Sequence, residues 1–351
     1  MKNLNFSWLR YFVCGLLVAG LFTAVSPAYA SEEKGGNELG FNPTEMILHH
    51  VLDDYSWHIA DWKDETGHEH VVSIPLPVIL FTDGNLDVFM SSAFHHGEHT
   101  VVKGDREYKL DHGHIEEVNG KKVWDFSFTK NVTSMFLSVV LLFVIFFAVL
   151  KGYRNRKGQS PKGIQSFFEP IIIFIRDEVA KPTLGNRSEK FLPYLLCVFF
   201  FIWFNNVLGL FPAAANLSGN IAFTMTLAVF TLIVTNVNGN KHYWQHIFAT
   251  PGVPKPLLII MAPVEIMGIF TKPIALMLRL FANITAGHIS ILSFITLTFI
   301  LKSALIGFAA GLLIVPLYFL ELFVALLQAY IFTILTGLYI GMATEEHGDH
   351  H

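Results

Sequence analysis

The sequence predicts an all-α polytopic membrane protein that also carries a small β-containing exported domain. Of its 351 residues, 52% are hydrophobic and only 15% are charged, which is more apolar than a soluble domain of this size needs. The polar N-terminal third changes abruptly near Val132 into long apolar runs. The formal net charge of −4 and the lack of a basic, aromatic-rich patch argue against nucleic acid as a partner.

Residues 1–30 are predicted to be a cleaved signal peptide. Lys2 and Arg10 precede an apolar run, and the segment 28–30, Ala-Tyr-Ala, has the small-x-small pattern that signal peptidase accepts. An uncleaved membrane anchor is the alternative, although the apolar run is shorter than the roughly 20 residues of a membrane span. In both cases the residues that follow are exported.

Residues 31–130 are predicted to form an exported, histidine-rich domain, which holds ten of the sixteen histidines. The pair Asn119-Gly120 lies between strand-like runs at 114–118 and 121–129, and such a pair favours a tight β-hairpin turn. Neutral imidazoles suit zinc or copper, but these histidines follow no fixed metal-binding pattern, so solvated loops or a proton-buffering surface are the alternative. The candidate metal ligands are His68, His70, His95, His96, His99, His112 and His114.

Residues 131–343 are predicted to form the membrane domain, with about five transmembrane helices, followed by a cytoplasmic tail at 344–351. The first apolar run, 135–150, reaches the length of a spanning helix together with its flanks. A cluster of Lys and Arg residues at 151–162 follows it, and positive charge in a short loop marks the cytoplasmic side of a membrane. The amphipathic segment 163–181 is expected to be a helix that lies in the membrane interface.

Four further apolar segments complete the membrane domain. Two of ordinary length, 191–211 and 220–237, cross the membrane outwards and back. The last two, 257–301 and 303–342, are too long to stand upright, because about 45 residues extend about 67 Å whereas the hydrocarbon layer is about 30 Å thick. They are predicted to form a strongly tilted antiparallel hairpin that turns at Lys302 on the outer side.

Few charged residues lie inside the long hairpin, and three of them share one helix face. Seven residues separate Glu265 from Lys272, and seven more separate Lys272 from Arg279. On an α-helix the direction of the side chain then shifts by only about 20° per step. Asn283 falls nearly on that face, whereas His288 points about 180° away from Arg279. A charge at membrane depth costs several kcal/mol, so such residues mark ion routes more often than they stabilise packing.

The predicted orientation places Glu265 on the cytoplasmic side of Arg279 and His288 on the exported side. On the partner helix, Glu321 and Gln328 are also seven residues apart and face together. This arrangement suits two offset aqueous half-channels separated by a fixed positive charge, because arginine keeps its proton whereas glutamate and histidine can exchange theirs. The plainer alternative is that Glu321 or His288 only hydrogen-bonds a neighbour within the helix bundle.

Two stretches of the hairpin carry a family signature. Residues 277–288 read Met-Leu-Arg-Leu-Phe-Ala-Asn-Ile-Thr-Ala-Gly-His, and residues 326–332 read Leu-Leu-Gln-Ala-Tyr-Ile-Phe. Both resemble the corresponding motifs of subunit a of the F-type ATP synthase, and the resemblance extends from about residue 124 to residue 346. It implies the fold and function of that family for the membrane domain, whereas it says little about the histidine-rich domain.

The resemblance implies a rotary mechanism. A carboxylate on each subunit of an adjacent c ring would load a proton from one half-channel, turn through the lipid and unload the proton into the other. Arg279 would attract the deprotonated carboxylate and keep the two routes apart, and Asn283 and Gln328 would help to position it. His288 and Glu321 would line the outer route.

The resemblance also bears on which residues serve the inner route and the entrance of the outer route. Glu265 would serve the inner route. Some relatives have aspartates that line the outer channel at the positions of Gly209 and Ser218, so the entrance is expected to use other groups here, namely Asn206 and Asn220.

The resemblance also implies partners and a location. The partners are the c ring, the b subunits of the peripheral stalk and the rest of the F1Fo complex, in the lipid bilayer of a bacterial inner membrane. The N-terminal domain would be exported and the C-terminus cytoplasmic. No cofactor is implied, and because the sequence has no G-x-x-x-x-G-K-[ST] loop, ATP chemistry is expected on other subunits rather than on this chain alone.

Two other functions compete with this one. A metal-ion transporter with an exported metal-collecting domain would explain the histidines. It predicts chelating side chains along the spans, where the sequence offers only His288, and Arg279 would repel a cation. A structural anchor for a membrane complex would leave the charged stripe unexplained.

Overall fold

A computed structural model of the chain describes residues 53–63, 69–97, 99–111, 113–156, 159–211, 214–248, 254–301 and 304–345. Within this part of the chain, a β-rich N-terminal domain precedes a helical domain, as the sequence predicts. The predicted signal peptide, the outer turn at Lys302 and most of the predicted tail lie outside the described residues.

The N-terminal domain is built from short antiparallel strands. They are β1 (Ser56–Lys63), β2 (Glu69–Pro75), β3 (Pro77–Thr82), β4 (Asn85–Met90), β5 (Val101–Lys103), β6 (Arg106–Asp111), β7 (His114–Glu117) and β8 (Trp124–Asp125), with a 3-10 helix (Ser91–Gly97) after β4. They form three sheets, with the orders β1-β2, β4-β3-β8 and β5-β6-β7. Val78, Leu80 and Phe89 from the second sheet and Tyr108 and Ile115 from the third belong to one buried cluster. The predicted small β-containing domain is therefore confirmed.

The predicted hairpin at Asn119-Gly120 is wrong, although a turn does form there. Gly120 has a φ of +74°, and its N–H donates to the carbonyl oxygen of Glu117 at 2.9 Å. However, β7 before the turn pairs with β6 of the third sheet, whereas β8 after the turn pairs with β3 of the second sheet. A two-residue hairpin forms instead at Asp83-Gly84, where both residues have positive φ. The Asn-Gly motif fixes a local bend, whereas the choice of strand partner depends on the packing of the whole domain.

The N-terminal domain is joined tightly to the first membrane helix, α1 (Lys130–Asn155). The Asp53 carboxylate accepts a hydrogen bond from the backbone N–H of Asn131 at 3.0 Å. The N–H of Lys130 donates to the carbonyl oxygen of Asp54 at 2.8 Å. These bonds satisfy donors at the helix start that have no partner within the helix, and the carboxylate also complements the positive end of the helix dipole.

The remaining chain is helical. Its elements are α2 (Ile164–Phe174), a π-helical turn (Ile175–Ala180), α3 (Lys181–Leu184), α4 (Ser188–Gly209), α5 (Ile221–Val237), α6 (Lys241–Phe248), α7 (Lys255–Leu301) and α8 (Ala304–Thr344), with short 3-10 turns before α4 and α5. By length and composition, four described stretches can cross a membrane, namely α1, the run from α2 to α4, α7 and α8. A fifth span results if α5 and α6, which meet at 105°, form one span. The chain is thus a multi-pass membrane protein, and the predicted helicity of segment 163–181 is confirmed.

Aromatic side chains of α4 form the centre of the helical domain. The Phe200 ring packs edge-on against Phe146 of α1, with 5.0 Å between ring centroids, and lies 5.7 Å from Phe168 of α2. The long helices α7 and α8 pack against one side of this core and against each other. Within the most apolar stretch of each span, only 6% of α7 and 17% of α8 is buried inside the protein. The corresponding buried share for the run from α2 to α4 is 61%. The two long helices therefore present a large apolar side that the described part of this chain does not cover.

We predict that the stability of the junction between the two domains falls as the pH rises. Burial raises the pKa of Asp53 above its ordinary value of 3.8, although hydrogen bonds from Asn131 and Asp54 act in the opposite direction. The folded state therefore keeps the Asp53 proton to a higher pH than the unfolded chain does. The contribution of Asp53 to stability is complete below the ordinary pKa and is lost as the pH rises through the raised pKa. Hydrogen-exchange protection of the Asn131 amide, corrected for its intrinsic rate, measures this trend.

Two substitutions separate the charge of Asp53 from its hydrogen bond. Asp53→Asn keeps an acceptor oxygen that does not titrate, so the pH trend should disappear. Asp53→Ala removes the acceptor and should cost about 1 kcal/mol of stability at the helix start. A pH trend that persists in Asp53→Asn would show that another group causes it.

Candidate functional site

The two long helices run antiparallel, and two side-chain contacts define their register. On one half of the hairpin, Nδ1 of His288 on α7 lies 3.8 Å from Oε1 of Glu321 on α8. On the other half, Nζ of Lys272 on α7 lies 5.6 Å from the centre of the Tyr339 ring on α8. The sequence-predicted pair of His288 and Glu321 is therefore brought together by the fold.

Arg279 lies between these two contacts, on the exposed side of α7. Leu276, Leu280 and Ile284 on the other side of the helix are buried in the core of the helical domain. Arg279 is exposed, and the adjacent Leu278 is 47% exposed. Among the described residues, the guanidinium has no ion-pair or hydrogen-bond partner. The chain thus presents a permanent cation on a largely apolar surface and supplies no described counter-charge for it.

Two amide side chains accompany Arg279, one on each long helix. Asn283 lies one turn along α7 and is exposed on the same side of the helix. Counting from the contact between His288 and Glu321, Gln328 of α8 lies within about 3 Å of the level of Arg279 along the helix axes. Gln328 is buried, so it faces the interior of the hairpin whereas Asn283 faces outward.

Glu321 is a buried carboxylate at the contact between the two long helices. Its exposed fraction is 2%, and neither carboxylate oxygen has a partner among the described residues. His288 is close, but 3.8 Å is too long for a direct hydrogen bond. A buried polar group left unsatisfied calls for a specific explanation, such as a bound water molecule or a role in proton transfer.

Gly287 provides the space that Glu321 occupies. A Cβ atom at position 287 would lie 3.2 Å from Oε1 and 3.4 Å from Cδ of Glu321. Gly268, on the same helix, has no atom within 4 Å of the equivalent position. The close approach of α7 and the Glu321 carboxylate therefore depends on a glycine at position 287 and not on small residues along the whole helix.

Asn206 of α4 connects three parts of the helical domain. Its Nδ2 donates to the carbonyl oxygen of Ala325 on α8 at 3.2 Å, and its Oδ1 accepts a hydrogen bond from the Ser218 hydroxyl in the turn before α5. Ala325 lies one helical turn from Glu321, so this buried polar chain leads from the turn toward the carboxylate. Ser218 therefore contacts one of the two asparagines that the sequence analysis assigned to the outer entrance.

Asn220 has a capping role that the sequence analysis missed. Its Oδ1 accepts hydrogen bonds from the backbone N–H groups of Ala222 and Phe223, at 2.9 and 3.4 Å, at the start of α5. An asparagine immediately before an apolar helix is a frequent N-cap, and this signal was present in the sequence. The side-chain oxygen of Asn220 is therefore engaged by the helix itself.

The three charged residues of the predicted stripe differ in burial. Glu265 and Lys272 are half-buried, whereas Arg279 is exposed. Lys272 lines a pocket together with Thr235 of α5, Tyr243 of α6 and Tyr339 of α8. Seven-residue spacing determines the direction in which the side chains leave the helix but not which elements cover them, and here α5 and α6 pack over the part of α7 that holds Lys272.

The histidine-rich region gives no metal centre within the described residues. Of the seven candidate ligands, His99 and His114 have described side chains. The described residues contain no group of three His, Cys, Asp or Glu side chains that could hold a metal ion. The side chains of the other candidates lie outside what the structure describes: His68, His70, His95, His96 and His112.

Comparison with known protein families matches the chain in two parts. Residues 132–341 match the family described as ATP synthase A chain. Residues 46–135 match a domain of unknown function, DUF8433. The two matches meet in the first turns of α1, where the structure changes from strands to helices. Neither match supports the alternative of a metal-ion transporter.

Proteins named ATP synthase subunit a are similar to much of this chain. ATP synthase subunit a 2 of Chlorobaculum tepidum is 49% identical over 235 residues, which cover 65% of this chain and 66% of that protein. ATP synthase subunit a of Chlorobium phaeobacteroides is 45% identical over 236 residues, which cover 65% of this chain and 68% of that protein. ATP synthase subunit a of Anaeromyxobacter sp. is 44% identical over 349 residues, which cover 91% of this chain and 75% of that protein. The chain therefore spans about two thirds to three quarters of the length of these relatives.

We predict that Asn206→Leu lowers the free energy of unfolding by about 1–3 kcal/mol, because the buried Ser218 hydroxyl loses its partner. Asn283→Leu is the matched control, since it makes the same substitution on the exposed side of α7. Loss of helicity with denaturant, measured for the chain in detergent micelles, compares the two variants. Equal destabilisation by both substitutions would contradict the structural role of Asn206.

Proposed function

The chain belongs to the ATP synthase A chain family, and on this premise we propose that it is the stator subunit that carries protons between the two sides of a membrane and a rotating c ring. One observation supports this proposal more than any other. Arg279 lies exposed on a largely apolar side of a 47-residue helix, with no described counter-charge in its own chain. A counter-charge is therefore expected on a partner, and a carboxylate of the ring meets this need.

Arg279 separates two proton routes under this proposal. Its guanidinium stays protonated at every physiological pH, so it cannot relay a proton itself. It attracts a ring carboxylate that has just lost its proton and repels any proton that approaches along the axis of the hairpin. An unpaired ring carboxylate at membrane depth would cost several kcal/mol, and the ion pair with Arg279 offsets this cost. The deprotonated ring site is therefore favoured only where it meets Arg279. Asn283, one helical turn away on α7, and Gln328, at nearly the same level on α8, are the amides assigned to position the guanidinium when a ring carboxylate is present.

The outer route passes along the buried polar groups on the interior side of the hairpin. Ser218 and Asn206 lead from the turn before α5 to Ala325, one helical turn from Glu321. Glu321 accepts a proton on an oxygen that has no other described partner, and His288, 3.8 Å away, exchanges it through a water molecule or a small side-chain movement. Asn220 contributes by starting α5 at this entrance.

The inner route is served by Glu265. This residue is half-buried on α7 and lies fourteen residues, or about 21 Å along the helix, from Arg279. The two routes thus approach Arg279 from opposite ends of the hairpin. A proton can pass from one to the other only on a ring carboxylate, which couples its movement to rotation.

The shape of the hairpin supports a strongly tilted arrangement around the ring. The 47 residues of α7 extend about 70 Å, more than twice the thickness of a hydrocarbon layer of about 30 Å. Tilting keeps the apolar length within the bilayer and lays the uncovered side of α7 and α8 along the ring. The other partners are the b subunits of the peripheral stalk, the rest of the complex and the surrounding lipid.

Basic residues give the proposed orientation. Lys151 and Arg154 lie in the last turns of α1 and Arg156 follows it directly. Since positive charge favours the cytoplasmic side, the proposal puts this end of α1 in the cytoplasm of a bacterial inner membrane. The N-terminal domain at the other end of α1 is then exported, and the C-terminus after α8 is cytoplasmic.

The chain is not an enzyme on its own, and ATP is made or hydrolysed on other subunits.

We predict that Arg279→Ala abolishes ATP-driven proton pumping by vesicles that contain the assembled complex. Without the cation, ring carboxylates are no longer drawn into the deprotonated state between the two routes. Arg154→Ala is the control, because it removes an exposed arginine at the end of α1, and pumping should be retained. Undiminished coupled pumping by Arg279→Ala, at equal content of the chain in the membrane, would refute the proposed role.

We also predict that His288 and Glu321 act as one unit in the outer route. His288→Ala together with Glu321→Ala should slow passive proton passage through the membrane sector more than either substitution alone. Because the two groups share a step, the effect of the double variant on the barrier should depart from the sum of the single effects by about 0.5–3 kcal/mol. Initial rates of vesicle acidification test this, and strict additivity would show that the two residues act independently.

A further inference from the structure

One sheet of the N-terminal domain has apolar side chains on both of its faces. Along β3 and β4, alternate residues such as Val78, Leu80 and Phe89 are buried in the domain core. The residues between them point away from the core and are also apolar. We call this surface the outer face; its residues are Pro77, Ile79 and Phe81 of β3, Leu86, Val88 and Met90 of β4, and Trp124 and Phe126 at β8.

The strand register makes the outer face continuous. Phe81 pairs with Leu86 on one side and with Trp124 on the other, so these side chains are neighbours across the sheet. Ile79 pairs with Val88 in the same way. Six of the eight residues are among the exposed large hydrophobic residues of the chain: Phe81, Leu86, Val88, Met90, Trp124 and Phe126. Contiguous exposed apolar patches of this kind usually mark an interaction surface.

The sheet formed by β5, β6 and β7 shows that the fold of this domain does not require an apolar outer face. On the sheet formed by β5, β6 and β7, the buried Tyr108 and Ile115 face the shared core. The opposite side of that sheet carries Lys109 and Glu116, which form an ion pair at 3.7 Å. One sheet is thus polar outside and apolar inside, as expected for a domain in water, whereas the sheet with the outer face is apolar on both sides.

The outer face continues onto the first membrane helix. Trp124, Phe126 and Phe128 alternate along the extended chain that leads into α1, so they point to the same side. The Phe128 ring lies 5.7 Å from the ring of Phe136 in α1. Beyond it, α1 exposes apolar side chains such as Val140, and α1 is one of the helices that are long and apolar enough to cross a membrane. The apolar surface therefore runs without a break from the sheet to a membrane span.

Backbone hydrogen bonds hold the sheet beside the start of this span. The N–H of Phe126 donates to the carbonyl oxygen of Ile79 at 2.9 Å, and the N–H of Phe128 donates to that of Pro77 at 3.0 Å. The connection to α1 is thus part of the sheet and not a loose linker. At the edge of the outer face, Nζ of Lys122 lies 4.3 Å from the centre of the Trp124 ring. Tryptophan rings and lysine side chains favour the headgroup level of a bilayer.

We propose that the outer face rests on lipid at the membrane surface from which α1 begins. The apolar side chains of β3, β4 and β8 enter the boundary between headgroups and acyl chains, and Lys122 reaches the phosphates. Lipid is the occupant that fits best, because the patch is continuous with the surface of a membrane span, is apolar throughout, and is fixed at the point where that span begins. The N-terminal domain then serves as a surface anchor that fixes the position of α1 relative to the bilayer.

Spin labels at two matched valines test this proposal. Val88 lies on the outer face and is 55% exposed, whereas Val102 lies on the opposite, polar-faced sheet and is 64% exposed. Val88→Cys and Val102→Cys would each be labelled with a nitroxide in the assembled complex, with other reactive cysteines replaced, in nanodiscs of phosphatidylethanolamine and phosphatidylglycerol. Power-saturation measurements then compare the access of oxygen, which concentrates in lipid, with the access of a water-soluble nickel chelate.

The proposal predicts that the label at Val88 is several-fold less accessible to the nickel chelate than the label at Val102 and more accessible to oxygen. Equal access of the nickel chelate to both labels would place the outer face in water and overturn the proposal. A label at Val88 that is shielded from both reagents would show that protein covers the face, whether a second copy or another subunit, and would overturn it as well. ATP-driven pumping by the labelled complexes confirms assembly, and its outcome is independent of where the outer face lies.

Discussion

A permanent positive charge on the apolar side of a membrane helix is the constraint on which the account of this protein depends. Arginine cannot escape the cost of burial by losing its proton, as glutamate, histidine or lysine can. Arg279 must therefore meet either water or a negative charge, and the described part of its own chain provides no partner. Under the proposed function, the uncovered side of the long hairpin is the surface on which a partner with acidic groups at membrane depth lies.

The core behind the hairpin keeps this cation and the proton-accepting groups on different sides. Leu276, Leu280 and Ile284 bind α7 to the aromatic core, which turns Arg279 outward. Glu321 lies on the interior side, where the absence of a side chain at Gly287 lets α7 approach the carboxylate. Under the proposed function, a proton on Glu321 does not pass Arg279 along the chain itself. The packing of individual side chains supports this proposal, because it puts Arg279 and Glu321 on different sides of the hairpin.

The helical part of this fold could be predicted from the sequence, because the length of an apolar run in lipid nearly determines a helix. The nine-residue separation also predicted that His288 and Arg279 leave α7 in opposite directions, and the resemblance put His288 on one route with Glu321, which lies 3.8 Å from it. Two other features could not be predicted in this way. Strand pairing after Asn119-Gly120 depends on contacts between distant strands, which a turn motif does not encode. Packing of α5 and α6 over α7 likewise decides that Lys272 faces a pocket.

Polar residues near helix ends were the hardest to interpret, because one side chain can serve several purposes. Asn206 and Asn220 looked equivalent in the sequence, yet one bridges helices and the other caps α5. The central claim concerns a side chain whose partner lies on another chain, so a structure of the assembled membrane sector tests it most directly. The account predicts the Arg279 guanidinium in direct or single-water contact with a ring carboxylate. A guanidinium that lies in bulk water, or that faces away from every ring carboxylate, would contradict it.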